Sequence, residues 1–579
     1  MAKNVSDLLV ENLYNAGVRR VYSITGDSLN PVNDAIRRDG RIEWIHVRHE
    51  EAAAYAASMD AELNGIGCCM GSSGPGHVHL INGLYDANRA GNPVIAIAST
   101  IESGKLGQDN FQETNPFYLF QDCSKYVYVA STPQQFSHMI QAAIQTAISE
   151  KGVAVLGLPG DIASSKAEEI VTSTKNYLTE STFRPTDPKL DELADLLNLN
   201  KKITLFCGHG CKDAIDETKN LAKILSAPMV YSFRGKIFFD TDDNEHAVGM
   251  NGLLGNPSGY EACHKAELLV LLGTDFPYVD FFPTDIKIVQ IDIKPDRIGR
   301  RAKVDFGYTG DIKDTLTALI PRLKGNDDDT FLKEMRKAYH ASEEHLADFA
   351  KKQGEFKEIQ PEYVAEIINN LASENAIFTV DTGMTAVWAA RFIKGKKGRY
   401  LTGSFNHGSM ANALPMAIGA AASVKDRQVI AMCGDGGISM LLGDLATVMQ
   451  YQFPIKIIVF NNRSLGMVKL EMEVDGYVDW QTNMVNPPFD KIAELMNIRG
   501  FELKDPTKVE STLTEFFAHE GPALINIYTD PEALAMPPHV EVSQMKGFLT
   551  SMMKKAGLGK FKEIAESVKS NIGHIDEII

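Results

Sequence analysis

The sequence predicts an α/β protein of three doubly wound parallel-sheet domains followed by a C-terminal tail. Short apolar runs rich in β-branched residues alternate with helical patterns, which is typical of parallel sheets with crossover helices. The 579 residues also exceed what one core supports, at roughly 150 residues per domain. Because two polar stretches divide the chain, we place the domains at 1–182, 183–340 and 355–530 and the tail at 531–579.

The first domain is predicted to open with an amphipathic helix and to continue with buried strands. Apolar residues recur at helical spacing from Val5 to Leu13. Strands are predicted at 18–22, 44–47, 67–71, 93–99 and 153–158, and a helix at 52–57. Glu50 stands between a strand and this helix, so it lies at a sheet edge either as a proton-handling group or as a solvated carboxylate at a helix start.

The middle domain is predicted to follow a polar linker at 172–188, which contains Pro185 and Pro188. Strands predicted at 203–206, 268–272 and 288–291 lead into turns that include Gly208, Gly210 and Asp292. This pattern is a weak dinucleotide-binding signal because its spacing is not G-x-G-x-x-G. The residues alone therefore leave nucleotide binding open. A second linker is predicted at 325–354.

The third domain contains the most informative stretch. An apolar run at 429–433 enters the sequence Gly-Asp-Gly-Gly at 434–437, a helix is predicted at 440–451, and a second run at 455–460 ends in Asn461 and Asn462. In such a βαβ unit, Asp435 and Asn462 emerge at the same sheet edge. Their oxygens and the Ser464 carbonyl suit Mg²⁺, and glycines there let a diphosphate approach the backbone. For the Gly-Asp-Gly-Gly sequence alone, a plain glycine turn before a helix is an equal alternative.

Composition excludes several classes of protein. The net charge of −17 argues against a nucleic-acid partner. The odd count of seven cysteines fits a reducing cytoplasm, and we interpret Cys207 and Cys211 as loop thiols, not zinc ligands. The N-terminus does not resemble a signal peptide, and no apolar run approaches the ~20 residues of a membrane span, so we expect a cytoplasmic protein.

The tail carries a basic amphipathic pattern. It fits either a helix that binds a membrane surface or an arm that packs on its own domain, although glycines at 557, 559 and 573 weaken a continuous helix. The apolar positions are Phe548, Met552, Met553, Leu558, Phe561, Ile564 and Val568, and the basic ones are Lys546, Lys554, Lys555, Lys560 and Lys562.

Several motifs together resemble one family. They are TGDSLN at 25–30, RHEEAAAYAA at 48–57, GPGHVHLINGLYD at 74–86, FQET at 111–114, LPGDIA at 158–163, LLGTDFPY at 271–278, GSFNHGSMANALP at 403–415 and AMCGDGG at 431–437, with GDG followed by Asn-Asn. The whole chain resembles the thiamine-diphosphate-dependent pyruvate oxidase family, and within it the bacterial pyruvate:quinone oxidoreductases.

The resemblance implies roles for residues at the thiamine diphosphate and Mg²⁺ site. Glu50 would activate the aminopyrimidine ring, and Asp435, Asn462 and the Ser464 carbonyl would bind Mg²⁺. The Met410 side chain would support the bent cofactor. Further cofactor contacts would come from Gly408, Ser409, Gly436, Gly437, Leu465, Gly466, Met467 and Val468, and contacts with the reacting carbonyl from Phe111, Gln112, Met467 and Glu471. Met467 occupies a position where quinone-linked relatives can carry phenylalanine, and this departure puts an aromatic contact between the two cofactors in doubt.

The resemblance also implies FAD in the middle domain, which would make the three domains pyrimidine-binding, FAD-binding and diphosphate-binding. The corresponding residues are Gly208, Gly210, Leu253, Leu254, Gly255, Asn256, Phe276, Pro277, Tyr278, Val279, Asp280, Asp292 and Lys294. The implied reaction converts pyruvate to acetate and CO₂, with electrons passing to membrane quinone, in a homotetramer attached peripherally to the inner face of the cell membrane. Two alternatives remain: an oxidase that uses oxygen and phosphate to make acetyl phosphate and peroxide, and an acetolactate synthase.

Overall fold

A computed structural model describes residues 3–167, 181–396, 398–534, 542–558, 560–561, 564–567 and 570. It contains three six-stranded sheets in which all neighbouring strands are parallel. This confirms the predicted class of three doubly wound α/β domains. The exact domain boundaries stay a prediction.

The first sheet has the strand order β2-β1-β3-β4-β6-β5. Its strands are β1 Arg20–Ser23, β2 Glu43–His46, β3 Gly67–Gly71, β4 Val94–Thr100, β5 Tyr126–Val129 and β6 Val153–Pro159. Its helices are α1 Val5–Asn15, α2 Asn30–Asp39, α3 Glu50–Asn64, α4 Pro75–Val78, α5 Ile81–Ala90, α6 Pro116–Leu119, α7 Pro133–Glu150 and α8 Gly160–Ser164.

The middle sheet has the order β12-β11-β10-β7-β8-β9. Its strands are β7 Ile203–Cys207, β8 Met229–Tyr231, β9 Ala247–Met250, β10 Leu268–Leu272, β11 Lys287–Asp292 and β12 Phe306–Thr309. Its helices are α9 Asp187–Leu199, α10 Ile215–Leu225, α11 Phe233–Phe239, α12 Pro257–His264 and α13 Ile312–Leu319, and α14 Thr330–Lys351 leads to the third domain.

The third sheet has the order β14-β13-β15-β16-β18-β17. Its strands are β13 Ile377–Val380, β14 Tyr400–Gly403, β15 Val429–Gly434, β16 Ile455–Asn461, β17 Arg499–Leu503 and β18 Ala523–Tyr528. Its helices are α15 Pro361–Leu371, α16 Met384–Phe392, α17 Ala413–Ser423, α18 Asp435–Met440, α19 Leu445–Tyr451, α20 Gly466–Val474, α21 Phe489–Leu495 and α22 Val509–Ala518, and the tail contains α23 Val542–Gly557.

The strand orders distinguish two kinds of domain. Numbered within each domain, the first and third sheets share the order 2-1-3-4-6-5, whereas the middle sheet has the order 3-2-1-4-5-6. The latter is the order of dinucleotide-binding sheets, in which ligands bind where the order reverses, here between β7 and β10. Topology therefore adds a nucleotide signal that the glycine spacing lacked.

The first and third domains share one hydrophobic core. Helices α3 and α17 meet through alanines and glycine, and a Cβ on Gly419 would lie 2.4 Å from the Ala56 carbonyl oxygen. This close approach explains why both helices are built from small residues, because larger side chains would separate the two domains.

One local prediction is confirmed in part and another is wrong. The helix predicted at 440–451 is observed at Leu445–Tyr451 (α19), but a separate helix, α18, begins at Asp435 and ends at Met440, and a 3₁₀ turn at Leu442–Asp444 lies between the two. The glycines in α18 are required for close packing, which outweighs their helix penalty of about 1 kcal/mol each. Cys207 is not a loop thiol, since it ends β7 and is buried as a small apolar residue.

The linkers and tail lie partly within the described residues. Residues 172–180 of the first predicted linker, Pro537 and Pro538, and the tail positions Gly559, Lys562, Val568 and Gly573 lie outside them. The second predicted linker is mostly helix α14. Helix α23 packs against α20, where the buried Lys555 forms ion pairs with Glu473 and Asp479. The tail thus packs on its own domain, as one of its two predicted alternatives required.

Candidate cofactor site

Strands β15 and β16 bring Asp435 next to the turn that contains Asn462. The strands are paired in parallel, with Gly434 opposite Phe460. Immediately beyond them, the Arg463 backbone N–H donates to Asp435 Oδ2 at 2.8 Å, and the Ser464 N–H donates to Asn462 Oδ1 at 3.1 Å. The three residues predicted to bind Mg²⁺ therefore belong to one small corner of the sheet edge, and their role as ligands stays a prediction.

Asp435 is a buried carboxylate whose hydrogen-bond partners carry no positive charge, so a bound cation would stabilise its ionised form. Its side chain is 2 % exposed, and burial raises its pKa. The groups that bond it are neutral: the Gly436 and Arg463 backbone N–H groups and the Asn486 amide, at 2.7 to 2.9 Å. A carboxylate retains lone pairs after three such bonds, so a Mg²⁺ ion fits here. Among the described residues, no group of three His, Cys, Asp or Glu side chains is placed to hold a metal ion. The predicted Mg²⁺ site is of a different kind, since its ligands are one carboxylate, one side-chain amide and one backbone carbonyl.

The two glycines after Asp435 allow other side chains to reach the corner. A Cβ on Gly437 would lie 2.2 Å from Asp381 Oδ2, and a Cβ on Gly436 would lie 2.9 Å from the Met410 methyl carbon and 3.0 Å from Leu465 Cδ2. Met410 and Leu465 therefore cover Gly436 directly. This position suits the supporting role predicted for Met410.

Sequence reasoning missed two residues of this corner. Asp381 follows β13, accepts hydrogen bonds from the Ala413 and Gly434 N–H groups at 2.9 and 3.2 Å, and has its pKa raised by burial to about 7. An acid directly after an apolar run was a detectable signal. Asn486 bonds both Asp435 and Asn461 from a loop with no such pattern, so its role depends on tertiary structure.

Glu50 occupies a separate setting in the first domain. It is the first residue of α3 and is 7 % exposed, with Oε2 3.0 Å from His79 Nδ1. Its Oε1 lies 3.4 Å from the position of a Cβ on Gly76. These contacts belong to the first domain, whereas those of Asp435 belong to the third. A site that uses both residues through subunit pairing stays a prediction.

Phe111 and Gln112 lie at a second cavity of about 710 Å³, which Asp27, Ser28 and Asp161 also line. Phe111 is 88 % exposed. Gln112 has a φ of +61°, which is uncommon for a side-chain-bearing residue, and it accepts a hydrogen bond from Ser73. Within one chain, neither residue lines the cavity that contains Met467 and Glu471.

Helix α20 carries several predicted residues. Gly466 packs against Met384, where a Cβ would lie 2.8 Å from Met384 Cγ. Val468 is 41 % exposed. Met467 and Glu471, one helical turn apart, line a cavity of about 760 Å³ together with Gly408.

The same cavity extends across the carboxyl ends of the middle sheet. Eight residues predicted for FAD line it: Gly210, Leu253, Leu254, Phe276, Pro277, Tyr278, Asp292 and Lys294. The other five lie within two residues of these in the chain: Gly208, Gly255, Asn256, Val279 and Asp280. The volume lies within the range of ligand sites, and the dinucleotide-type strand order places its opening where such cofactors bind. An FAD therefore fits these residues.

Charged residues missed by sequence reasoning line this cavity where the three domains meet. Glu62 Oε1 accepts a hydrogen bond from Tyr400 at 2.7 Å and lies 3.6 Å from Arg234. Although burial opposes ionisation, the nearby Arg234 cation holds the pKa of Glu62 below its usual value. Burial and Arg234 together lower the pKa of His209 to about 3. Burial and the Glu471 charge raise the pKa of Tyr278, which places these two residues of different domains near one another.

Comparison with known proteins identifies similar domains along most of the chain. Models of thiamine pyrophosphate enzymes match three segments: the N-terminal TPP binding domain at residues 3–119, the central domain at 190–319 and the C-terminal TPP binding domain at 381–527.

Several curated proteins are similar over nearly the full length. The putative thiamine pyrophosphate-containing protein YdaP of Bacillus subtilis is 33% identical over 95% of this chain and 96% of its own. The pyruvate oxidase of Lactiplantibacillus plantarum is 30% identical over 84% of this chain and 82% of its own. A probable acetolactate synthase large subunit of Methanocaldococcus jannaschii is 29% identical over 92% of this chain and 93% of its own.

Proposed function

Because the chain belongs to the thiamine pyrophosphate enzyme family, we propose that it oxidatively decarboxylates pyruvate, with electrons passing through FAD to a quinone. One pyruvate, one water and one quinone are consumed, and one acetate, one CO₂ and one quinol are released. The pyruvate oxidase at 30% identity supports pyruvate as substrate.

The observation that carries the proposal is the single cavity of about 760 Å³ to which all three domains contribute. Residues predicted for FAD line one part of it, and Gly408, Met467 and Glu471 line another. Two cofactors bound along one cavity would be close enough for electron transfer without a diffusing intermediate. This arrangement supports an oxidation more directly than a reaction that leaves the flavin unchanged.

The predicted site residues of this chain would have separate roles in binding and activating the cofactor. Asp435, Asn462 and Ser464 would hold Mg²⁺ and through it the diphosphate, and Met410 would fix the cofactor's shape. Glu50 would hold a proton at a pyrimidine nitrogen. Bound thiamine diphosphate supplies the electron sink for loss of CO₂, and bound FAD accepts an electron pair.

Glu471 does not distinguish oxidation from carbon–carbon bond formation. Its carboxylate lies in the shared cavity beside Tyr278. Both reactions begin with pyruvate, itself an anionic keto acid, so a negative charge at this place would oppose the approach of substrate in both. Acetolactate synthases are similar to this chain at 28–29% identity, so this alternative is part of the test.

The tail supports a membrane-associated acceptor. No helix of the described chain is long and apolar enough to cross a membrane. On α23 and just beyond it, Leu549, Met553, Leu558 and Phe561 are 60 to 68 % exposed. Exposed apolar side chains beside Lys546 and Lys554 match the composition of interfacial segments. We propose that this surface attaches a homotetramer peripherally to the inner face of the membrane, where quinone is available.

The experiment is anaerobic mixing of pyruvate with the chain loaded with thiamine diphosphate, Mg²⁺ and FAD. We expect loss of flavin absorbance and formation of acetate, with the absorbance restored by quinone, faster in the presence of anionic lipid vesicles. Restoration by oxygen with acetyl phosphate formed from added phosphate would instead identify the oxygen-dependent oxidase. Acetolactate formed without flavin reduction would contradict the proposal.

A further inference from the structure

The loop at residues 404–410 belongs to the third domain and is hydrogen-bonded to helices of the first domain. It follows β14 and contains Gly408, Ser409 and Met410, the predicted pyrimidine contacts. Gly408 has a φ of +80°, a conformation that favours glycine, and its N–H donates to the Ser404 carbonyl. The loop is therefore tightly turned, and its shape depends on what holds its polar side chains.

Four polar side chains of the loop all bond to helices of the first domain. Ser404 Oγ donates to Asp86 Oδ1 at 2.7 Å, and Asn406 donates to the Arg89 carbonyl at 3.1 Å. His407 Nε2 lies 3.0 Å from Asn82 Oδ1. The Ser409 hydroxyl accepts a hydrogen bond from Tyr55 at 2.7 Å and lies 3.0 Å from Asn82 Nδ2.

Within this set, Tyr55 and Asn82 have the most specific geometry. Tyr55 is fully buried in α3, so its ring is fixed and its hydroxyl meets Ser409 at one position. Asn82 in α5 lies within hydrogen-bonding distance of Glu51, Tyr55, His407 and Ser409. This network is partly buried, and removing a member of such a network breaks more than one hydrogen bond, so both side chains should control the loop.

Met410 lies next to the anchored serine and faces the opposite direction. Its methyl group reaches Gly436 in the diphosphate corner, while Ser409 is held by the first domain. The two neighbouring residues thus join the first-domain helices to the corner that contains Asp435.

We propose that Tyr55 and Asn82 are positioning residues that shape the loop 404–410 for the cofactor, an inference that rests on the proposed function. They do not belong to the predicted cofactor contacts and act through Ser409. The affinity for thiamine diphosphate would therefore depend on packing between two domains of one chain.

The test compares Tyr55→Phe and Asn82→Ala with the wild-type full-length chain. Binding of thiamine diphosphate is measured by equilibrium dialysis at saturating Mg²⁺, and turnover is measured against cofactor concentration. Tyr55→Phe removes the bond to Ser409 and the contact with Asn82. Each lost hydrogen bond corresponds to a roughly 2- to 12-fold weaker affinity, so we expect the dissociation constant for thiamine diphosphate to rise by at least that factor for Tyr55→Phe and by more for Asn82→Ala. Turnover at saturating cofactor should stay within about twofold, since reacting groups are unchanged.

Tyr22→Phe is the matched control. Tyr22 is also fully buried in the first domain, and its hydroxyl lies 3.1 Å from Asp60 Oδ2 and 3.4 Å from the Gly419 carbonyl oxygen of α17, away from the loop. The Tyr22→Phe substitution should lower the melting temperature of the cofactor-free chain about as much as Tyr55→Phe does, without changing the affinity for thiamine diphosphate. Unchanged affinity in Tyr55→Phe or in Asn82→Ala, or an equal loss in Tyr22→Phe, would overturn the inference. If the wild-type chain fails to bind thiamine diphosphate, the proposed function itself fails.

Discussion

Replacing Asp435 by Asn tests the metal corner most directly. The substitution preserves shape and removes the charge that Mg²⁺ requires. The Asn oxygen can still accept from Arg463 and Asn486, but its NH₂ group then faces the Gly436 N–H, which donates to Asp435 Oδ1 at 2.9 Å. That mismatch costs about 1 to 3 kcal/mol.

Removal of the buried charge offsets part of this cost. Burial raises the pKa of Asp435, so ionisation of the carboxylate is less favourable in the folded chain without a cation than it is in water. We therefore expect the cofactor-free variant to be no more than about 2 kcal/mol less stable than the wild type. Its metal affinity should fall far more, since even changes to residues that only hydrogen-bond a metal ligand lower metal affinity about 10- to 100-fold.

The assay is thermal or urea unfolding with increasing Mg²⁺ and thiamine diphosphate. A ligand at 100 times its dissociation constant stabilises the folded state by about 2.7 kcal/mol, and a 100-fold loss of affinity reduces this to about 0.4 kcal/mol. Asp490→Asn is the control, because Asp490 is a buried carboxylate of the same domain outside the corner. Equal stabilisation of Asp435→Asn and wild type by the cofactor would refute the predicted metal site.

Three further predictions concern other parts of the chain. Glu50→Gln should bind thiamine diphosphate nearly normally but lose turnover by about 10²- to 10⁴-fold, measured by steady-state kinetics; unchanged turnover would remove Glu50 from the mechanism. Burial raises the pKa of Asp86 to about 7, so the folded chain holds this proton more tightly than the unfolded chain, and its contribution to stability is lost as pH rises from about 4 through 7. Urea unfolding between pH 5 and pH 8 should show a weaker pH dependence for Asp86→Asn, and identical profiles would contradict this. Lys555→Met leaves Glu473 and Asp479 buried without their cation, which should cost about 3 to 5 kcal/mol of tail docking and speed limited proteolysis of the tail, whereas Lys546→Met, at an exposed position, should not.

Sequence patterns predicted the features that depend on neighbouring residues in the chain. Apolar runs bounded by glycine identified β3 and β10 to the residue, because buried parallel strands need continuous apolar side chains. The same logic placed Asp435 and Asn462 at one sheet edge, since parallel strands end on the same side. The first part of the helix at 440–451 was predicted wrongly, and α18 was missed, because the glycines in α18 are required by the close approach of Asp381 and Met410, which local patterns do not reveal.

Sequence alone determined the α/β fold class, the presence of three sheets, and the location of the Asp435 and Asn462 side chains at one sheet edge. Each of these follows from the local alternation of apolar runs and helical patterns. Only the tertiary structure decided which distant groups complete the site. Asn486 reaches Asp435 from 51 residues away, Tyr55 reaches Ser409 from 354 residues away, and one cavity joins Tyr278 to Glu471. The first of these contacts lies within the third domain and the other two lie between domains. All three arise because segments distant in the chain pack together, and such packing leaves no periodic signal in the sequence.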